Sequence, residues 1–129
     1  MAIIRNYTTV EQSRKLAEIL PHESADMHYS KDFDGSWFVD LAEYTSVKIP
    51  KYVDKVEEHL IPCWSLTALL KYLSEIEPQV YTYILFPSEG KWILHFVEYG
   101  HGIVYAASCD NPVDACVAMI EHLHELNLL

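Results

Sequence analysis

Between Gln79 and Cys109 the hydrophobic positions gather in three runs, Gln79–Phe86, Lys91–Tyr99 and Ile103–Cys109, all rich in aromatic and β-branched residues. Gly90 and Gly100 punctuate them, so the pattern predicts a three-stranded antiparallel meander. A three-residue Ser88-Glu89-Gly90 loop, with Gly90 left-handed, pairs Pro87 with Lys91. That register sends Val80, Thr82, Ile84, Phe86, Trp92, Leu94 and Phe96 to one face. Tyr81, Tyr83, Leu85, Ile93, His95, Val97 and Tyr99 go to the other. A two-residue Ser88-Glu89 loop scatters Trp92 and Phe96 across the sheet, so the longer loop gives the cleaner separation. Gly100-His101 suits a second tight turn, after which Ile103, Tyr105 and Ala107 join Leu94 and Phe96.

Helical spacing appears elsewhere. Thr9 and Gln12 fit a capping box, and Val10, Leu16, Ala17, Ile19 and Leu20 follow until Pro21 stops the run. Ser65 caps a second helix with Leu66, Leu69, Leu70 and Leu73 on its buried side. Asp110 or Asn111 caps a third, with Pro112 in its first turn. Its apolar positions are Val113, Cys116, Val117, Ile120 and Leu123, and Asp114 complements the helix dipole. The remainder is less ordered in pattern. Ala2–Ile4 reads as a short edge strand, Pro21–Tyr29 as irregular chain, and Trp37–Tyr44 and Ser46–Ile49 as short extended pieces. Pro50 opens a helix carrying Tyr52, Val53, Val56 and Leu60, which Pro62 ends. The expected fold is α+β: a two-layer sandwich with a meander over about 79–109 packed against helices over about 10–20, 65–76 and 112–125. At 129 residues, 1–129 reads as a single domain.

Half the residues are hydrophobic, enough for a folded core. Nine Lys and Arg against nineteen Asp and Glu leave a formal charge of −10, which repels phosphate backbones and disfavours direct nucleic-acid binding. Cys63, Cys109 and Cys116 are odd in number and irregularly spaced, which suits reduced thiols. No secretory leader and no apolar run near the roughly 20 residues of a membrane span is evident, so a cytoplasmic protein is expected.

Three segments together carry a resemblance. Ser-Ala-Asp-Met-His closes Leu16–His28, Pro-Cys-Trp-Ser-Leu-Thr-Ala-Leu-Leu spans Pro62–Leu70, and Asn-Pro-Val-Asp-Ala-Cys-Val-Ala-Met-Ile-Glu-His-Leu spans Asn111–Leu123. In that order they resemble a family of short uncharacterised proteins from Bacteroides-group bacteria, often found among phage-like or mobile-element genes. The resemblance covers both ends and the middle but not Lys31–Glu58, and it implies a bacterial origin without a known activity.

Candidate chemistry is sparse. Cys63 precedes the Ser65-capped helix and His95 sits mid-strand, the order of parts in papain-like thiol hydrolases. No upstream Gln motif and no third group orienting His95 accompany them, and a buried inert thiol is the favoured reading. Ser30, Asp32, Asp34, Gly35 and Ser36 approach a calcium-loop template, but Leu41 replaces the bidentate Glu. His59 and Cys63 are separated by Pro62, His122 and His124 point apart, and no CxxC or HExxH occurs, so neither metal nor cofactor is expected. Tyr81, Tyr83, His95 and Tyr99 form the candidate binding surface: tyrosine buries area while keeping a polar handle. The expected function is a non-catalytic accessory protein that binds another protein or itself. The alternatives are a thiol hydrolase using Cys63 and His95, and an acidic nucleic-acid mimic.

Overall fold

The computed structural model describes residues 5–48 and 55–129. They form two three-stranded antiparallel sheets and three α-helices, an α+β fold. Chain contacts divide into two compact units, Tyr7–Ala68 and Met1–Asn6 with Leu69–Leu129.

In the first unit, helix α1 (Val10–Ala17) starts where its capping box dictates. The Gln12 N–H donates to the Thr9 hydroxyl oxygen (3.1 Å), and the Gln12 side chain accepts from the Thr9 N–H (3.0 Å). Strands β1 (Met27–Lys31), β2 (Trp37–Asp40) and β3 (Leu60–Cys63) pair in the order β2-β1-β3. Met27, Tyr29, Ile61 and Cys63 share one face and pack with Tyr7, Val10, Trp37 and Val39. α1 lies against β3 of this sheet. Trp64 is fully buried and held at both ends: its indole N–H donates to the Ser24 hydroxyl (2.9 Å), its backbone N–H to the Thr8 hydroxyl (3.2 Å).

This sheet corrects two expectations. The stretch expected to be irregular, Pro21–Tyr29, ends in β1, and the helix expected to run from Pro50 to Leu60 gives way to a single 3-10 turn, Val56–Glu58, with Leu60 in β3. Pro62 sits inside β3 instead of stopping a helix. The Lys31 N–H donates to the His59 carbonyl, which makes His28–Pro62 a non-hydrogen-bonded pair. The nitrogen of Pro62 therefore faces away from β1, at the edge, where a missing N–H is tolerated. The first part of the helix expected from Pro50, residues 50–54, the last residue of the extended piece expected at Ser46–Ile49, and the edge strand expected at Ala2–Ile4 lie outside the described residues.

Helix α2 (Leu66–Ser74) is capped by Ser65, whose hydroxyl accepts the Ala68 N–H at 3.1 Å, and it buries Leu69 and Leu73. In the second unit, β4 (Tyr81–Ser88), β5 (Lys91–Glu98) and β6 (Gly102–Cys109) form the meander, and α3 (Pro112–Glu125) covers β5 and β6. Asn111 caps α3 by accepting the Asp114 N–H (3.0 Å), and Arg5 pairs with the Asp114 carboxylate near the same end.

The meander is present, but its register is one residue from the expected one. Ser88 pairs with Lys91, so the loop is the two residues Glu89-Gly90. Both have positive φ, +50° and +78°, the pattern of a type I′ turn whose twist matches the strands it joins. The slip exchanges the faces of β4. Leu85 lies opposite Leu94 and Tyr83 opposite Phe96; Ile84 lies opposite His95 and Phe86 opposite Ile93. Leu94 and Phe96 are fully buried on the α3 side, joined by Tyr105 and Ala107 of β6. Tyr81 stacks on Phe96 at 5.0 Å, and Tyr105 stacks on His122 of α3 at 3.7 Å. The second turn is three residues, Tyr99-Gly100-His101, because Glu98 pairs with Gly102. A bulge between Phe96 and Val97 then turns Ile103 to the opposite face from Tyr105, instead of joining it.

Candidate functional site

The face of the β4-β5-β6 sheet turned away from α3 is apolar and open. Ile84 is 52% exposed and Ile103 58% exposed, with half-buried Phe86, Ile93, His95 and Val97 between them. The His95 ring meets Phe86 edge-on at 5.2 Å, which seats the imidazole within this patch. The Tyr99 N–H donates to the Val80 carbonyl, and this bond carries the same alternation one step beyond the strand ends. Val80 (37% exposed) and Tyr99 (57% exposed) thereby extend the open face.

The four candidate binding residues are consequently divided. His95 and Tyr99 belong to the open face, whereas Tyr81 and Tyr83 turn toward the α3 side beside Phe96 and Leu94. The tyrosine-studded surface expected from the slipped register is not assembled. Its place is taken by isoleucine, valine and phenylalanine, with His95 and Tyr99 contributing polar ring atoms. Charge is scarce here. Lys91, at the turn end of the same face, is occupied by a hydrogen-bonded ion pair with Asp110 that holds its ammonium above the usual lysine range.

Cys63, the candidate nucleophile, ends β3 and is wholly buried. Its sulfur contacts the Thr8 hydroxyl and the Thr8 carbonyl, each at 3.6 Å. Burial pushes its thiol above the usual cysteine range, against smaller lowering by its hydrogen bonds. A nucleophilic thiol needs the reverse: partial exposure and a lowered pKa. Cys116 is raised further, to about 12, and Cys109 is also raised, both chiefly by burial.

The near-calcium loop is the β1–β2 turn. There the Asp34 carboxylate accepts both the N–H (2.9 Å) and the hydroxyl (2.6 Å) of Ser36, which lowers its pKa. Gly35, at φ +85°, takes the left-handed position this turn requires. Among the described residues no group of three or more His, Cys, Asp or Glu side chains converges as a metal site, and every buried side-chain nitrogen or oxygen has a hydrogen-bond partner. No helix of the described residues is long and apolar enough to cross a membrane.

A second concave feature lies wholly in the first unit. It is a groove of about 690 Å³ between α1, the β3 edge and the 3-10 turns His22–Ser24, Tyr44–Ser46 and Val56–Glu58, lined by Arg14, Glu18, Lys31, Tyr44 and His59 over a floor that includes Leu60 and Ile61. No spacing or motif in the sequence points to it. Compared with known proteins, the chain matches no family model, no curated protein and no solved structure.

Proposed function

We propose that this chain is a non-catalytic interaction protein whose contact surface is the open face of the β4-β5-β6 sheet, and that its occupant is a second copy of the same chain. The supporting observation is the continuous apolar surface around Ile84, Ile93, Val97 and Ile103 on a protein with a net charge of −10. Two such chains repel one another over most of their surfaces. Contact is least opposed where carboxylates are absent, and a two-fold axis lets one face meet itself. Three strands of eight residues present roughly 400 Å² at about 3.3 Å per residue and 4.8 Å between strands. That is about half of the ~800 Å² per partner of a stable interface. The association is therefore weak and concentration-dependent.

Screening relieves the repulsion between like-charged copies, so salt strengthens the dimer. Sedimentation velocity across a wide concentration range tests both points. The expected result is a monomer–dimer equilibrium that shifts to dimer at higher salt. Ile84→Glu is expected to weaken it at least about ten-fold, the equivalent of about 1.4 kcal/mol. Because Ile84 is 52% exposed, the same variant keeps its thermal stability within about 0.5 kcal/mol of the parent. A chain that stays monomeric at every concentration, or an Ile84→Glu variant that dimerises equally well, contradicts the reading.

A further inference from the structure

We infer that the groove of the first unit is a binding site for an amphipathic organic anion, with the anionic head held by Arg14 and Lys31. The two cations are brought together by one aromatic ring. The Arg14 guanidinium lies 5.6 Å and the Lys31 ammonium 5.7 Å from the centre of the Trp37 ring, so the charges can be no farther apart than those two distances combined. Both side chains also line the groove.

Neither cation of this pair is neutralised by a carboxylate of the described residues. The ion pairs among the described residues are Arg5–Asp114, Lys55–Glu58 and Lys91–Asp110; neither Arg14 nor Lys31 takes part in one. Two cations that line one groove without a carboxylate partner repel one another, and an incoming anion relieves that repulsion. Two carboxylates do line the groove. Glu58 is engaged by Lys55 at 3.6 Å, and Glu18 stands one helical turn from Arg14 without pairing to it, because the guanidinium lies over Trp37 instead.

The rest of the groove fixes the ligand class. Ala17, Leu60, Ile61 and Pro62 supply an apolar floor, and the volume of about 690 Å³ falls within the roughly 300–1,000 Å³ of small-molecule sites. His22 and Tyr44, packed edge-on at 5.1 Å, form one wall. A charged head with an attached apolar body satisfies both halves; a bare ion or a neutral hydrocarbon satisfies only one. The head is a carboxylate or a phosphate, which Arg14 and Lys31 recognise by the same charge-assisted hydrogen bonds.

Titration of the full chain with octyl phosphate and with octanoate, followed by the Trp37 indole N–H resonance, separates the two heads, and octanol serves as the uncharged control. The expected result is a saturable Trp37 shift with at least one of the two anions and none with octanol. The exposed pair Arg14→Gln and Lys31→Gln, made together, weakens it at least ten-fold, and Glu18→Gln strengthens it by removing a repelling carboxylate. An equal response to octanol, an unchanged midpoint in the double variant, or no Trp37 shift with either anion overturns the inference. The variants are at exposed positions, so an unchanged thermal transition shows that lost binding is not lost folding.

Discussion

Phe96→Ala is expected to lower the unfolding free energy by about 3–5 kcal/mol, the range for removing a buried aromatic ring, and to lower Tm by roughly 10–20 °C. Phe96 is fully buried on the α3 side and stacks against Tyr81, so its loss leaves both a cavity and an unsupported ring. Thermal and denaturant unfolding measure the effect. Ile84→Ala supplies the contrast. On a register that places Ile84 beside Phe96 beneath α3, it too is a costly core deletion. With Ile84 opposite His95 on the open face and 52% exposed, its expected cost stays within about 1 kcal/mol. A large loss at both positions contradicts the face assignment.

Trp64→Ala is expected to be as damaging in the first unit, again about 3–5 kcal/mol. The indole is fully buried, and its removal also leaves the Ser24 hydroxyl without the donor that holds it. Trp64→Phe retains most of the ring volume but not the N–H. Its expected cost, about 1–2 kcal/mol, combines the lost hydrogen bond with a small void. Denaturant midpoints of the two variants separate packing from hydrogen bonding. Equal losses in both would mean that the Ser24 bond outweighs the packing of the ring, and a neutral Trp64→Ala contradicts the assigned burial.

The helices are legible in the sequence because their signals are local. Thr9 with Gln12, Ser65 before Leu66, and Asn111 before Pro112 each satisfy a helix's first amides with side chains a few residues away, and the caps form as the spacing predicts. The meander is legible from its β-branched and aromatic runs, but its register is not. A turn with Gly90 alone in the left-handed region gives the slipped pairing, whereas Glu89 also adopts that conformation, at φ +50°. Glycine at the second position of a two-residue loop is the type I′ signature, and Glu89-Gly90 in that role recovers the pairing of Ser88 with Lys91. One residue of slip is enough to exchange Tyr83 for Ile84 as the exposed side chain.

The first sheet is hidden for a different reason. Met27-His28-Tyr29 is buried at three consecutive positions, so it lacks the alternation by which a half-exposed strand announces itself. β3 carries Pro62, which reads as a helix stop until the pairing shows its nitrogen facing the sheet edge. The groove is equally hidden. Arg14 and Lys31 are seventeen positions apart and meet only because β1–β2 pairing brings Lys31 beside Trp37 while α1 packs over the same sheet.

Which residues of β4 and β5 face each other decides both the core and the open face, and cross-strand Hα–Hα contacts in an NMR spectrum read this directly. The Tyr99 N–H bond to Val80 makes that pair hydrogen-bonded, so Tyr83–Phe96 and Leu85–Leu94 are the close non-bonded pairs. Strong Hα–Hα cross-peaks between Tyr83 and Phe96 and between Leu85 and Leu94 are the predicted result. Cross-peaks joining Ile84 to Leu94 instead would move Ile84 beneath α3 and leave no open apolar face for a second copy to meet.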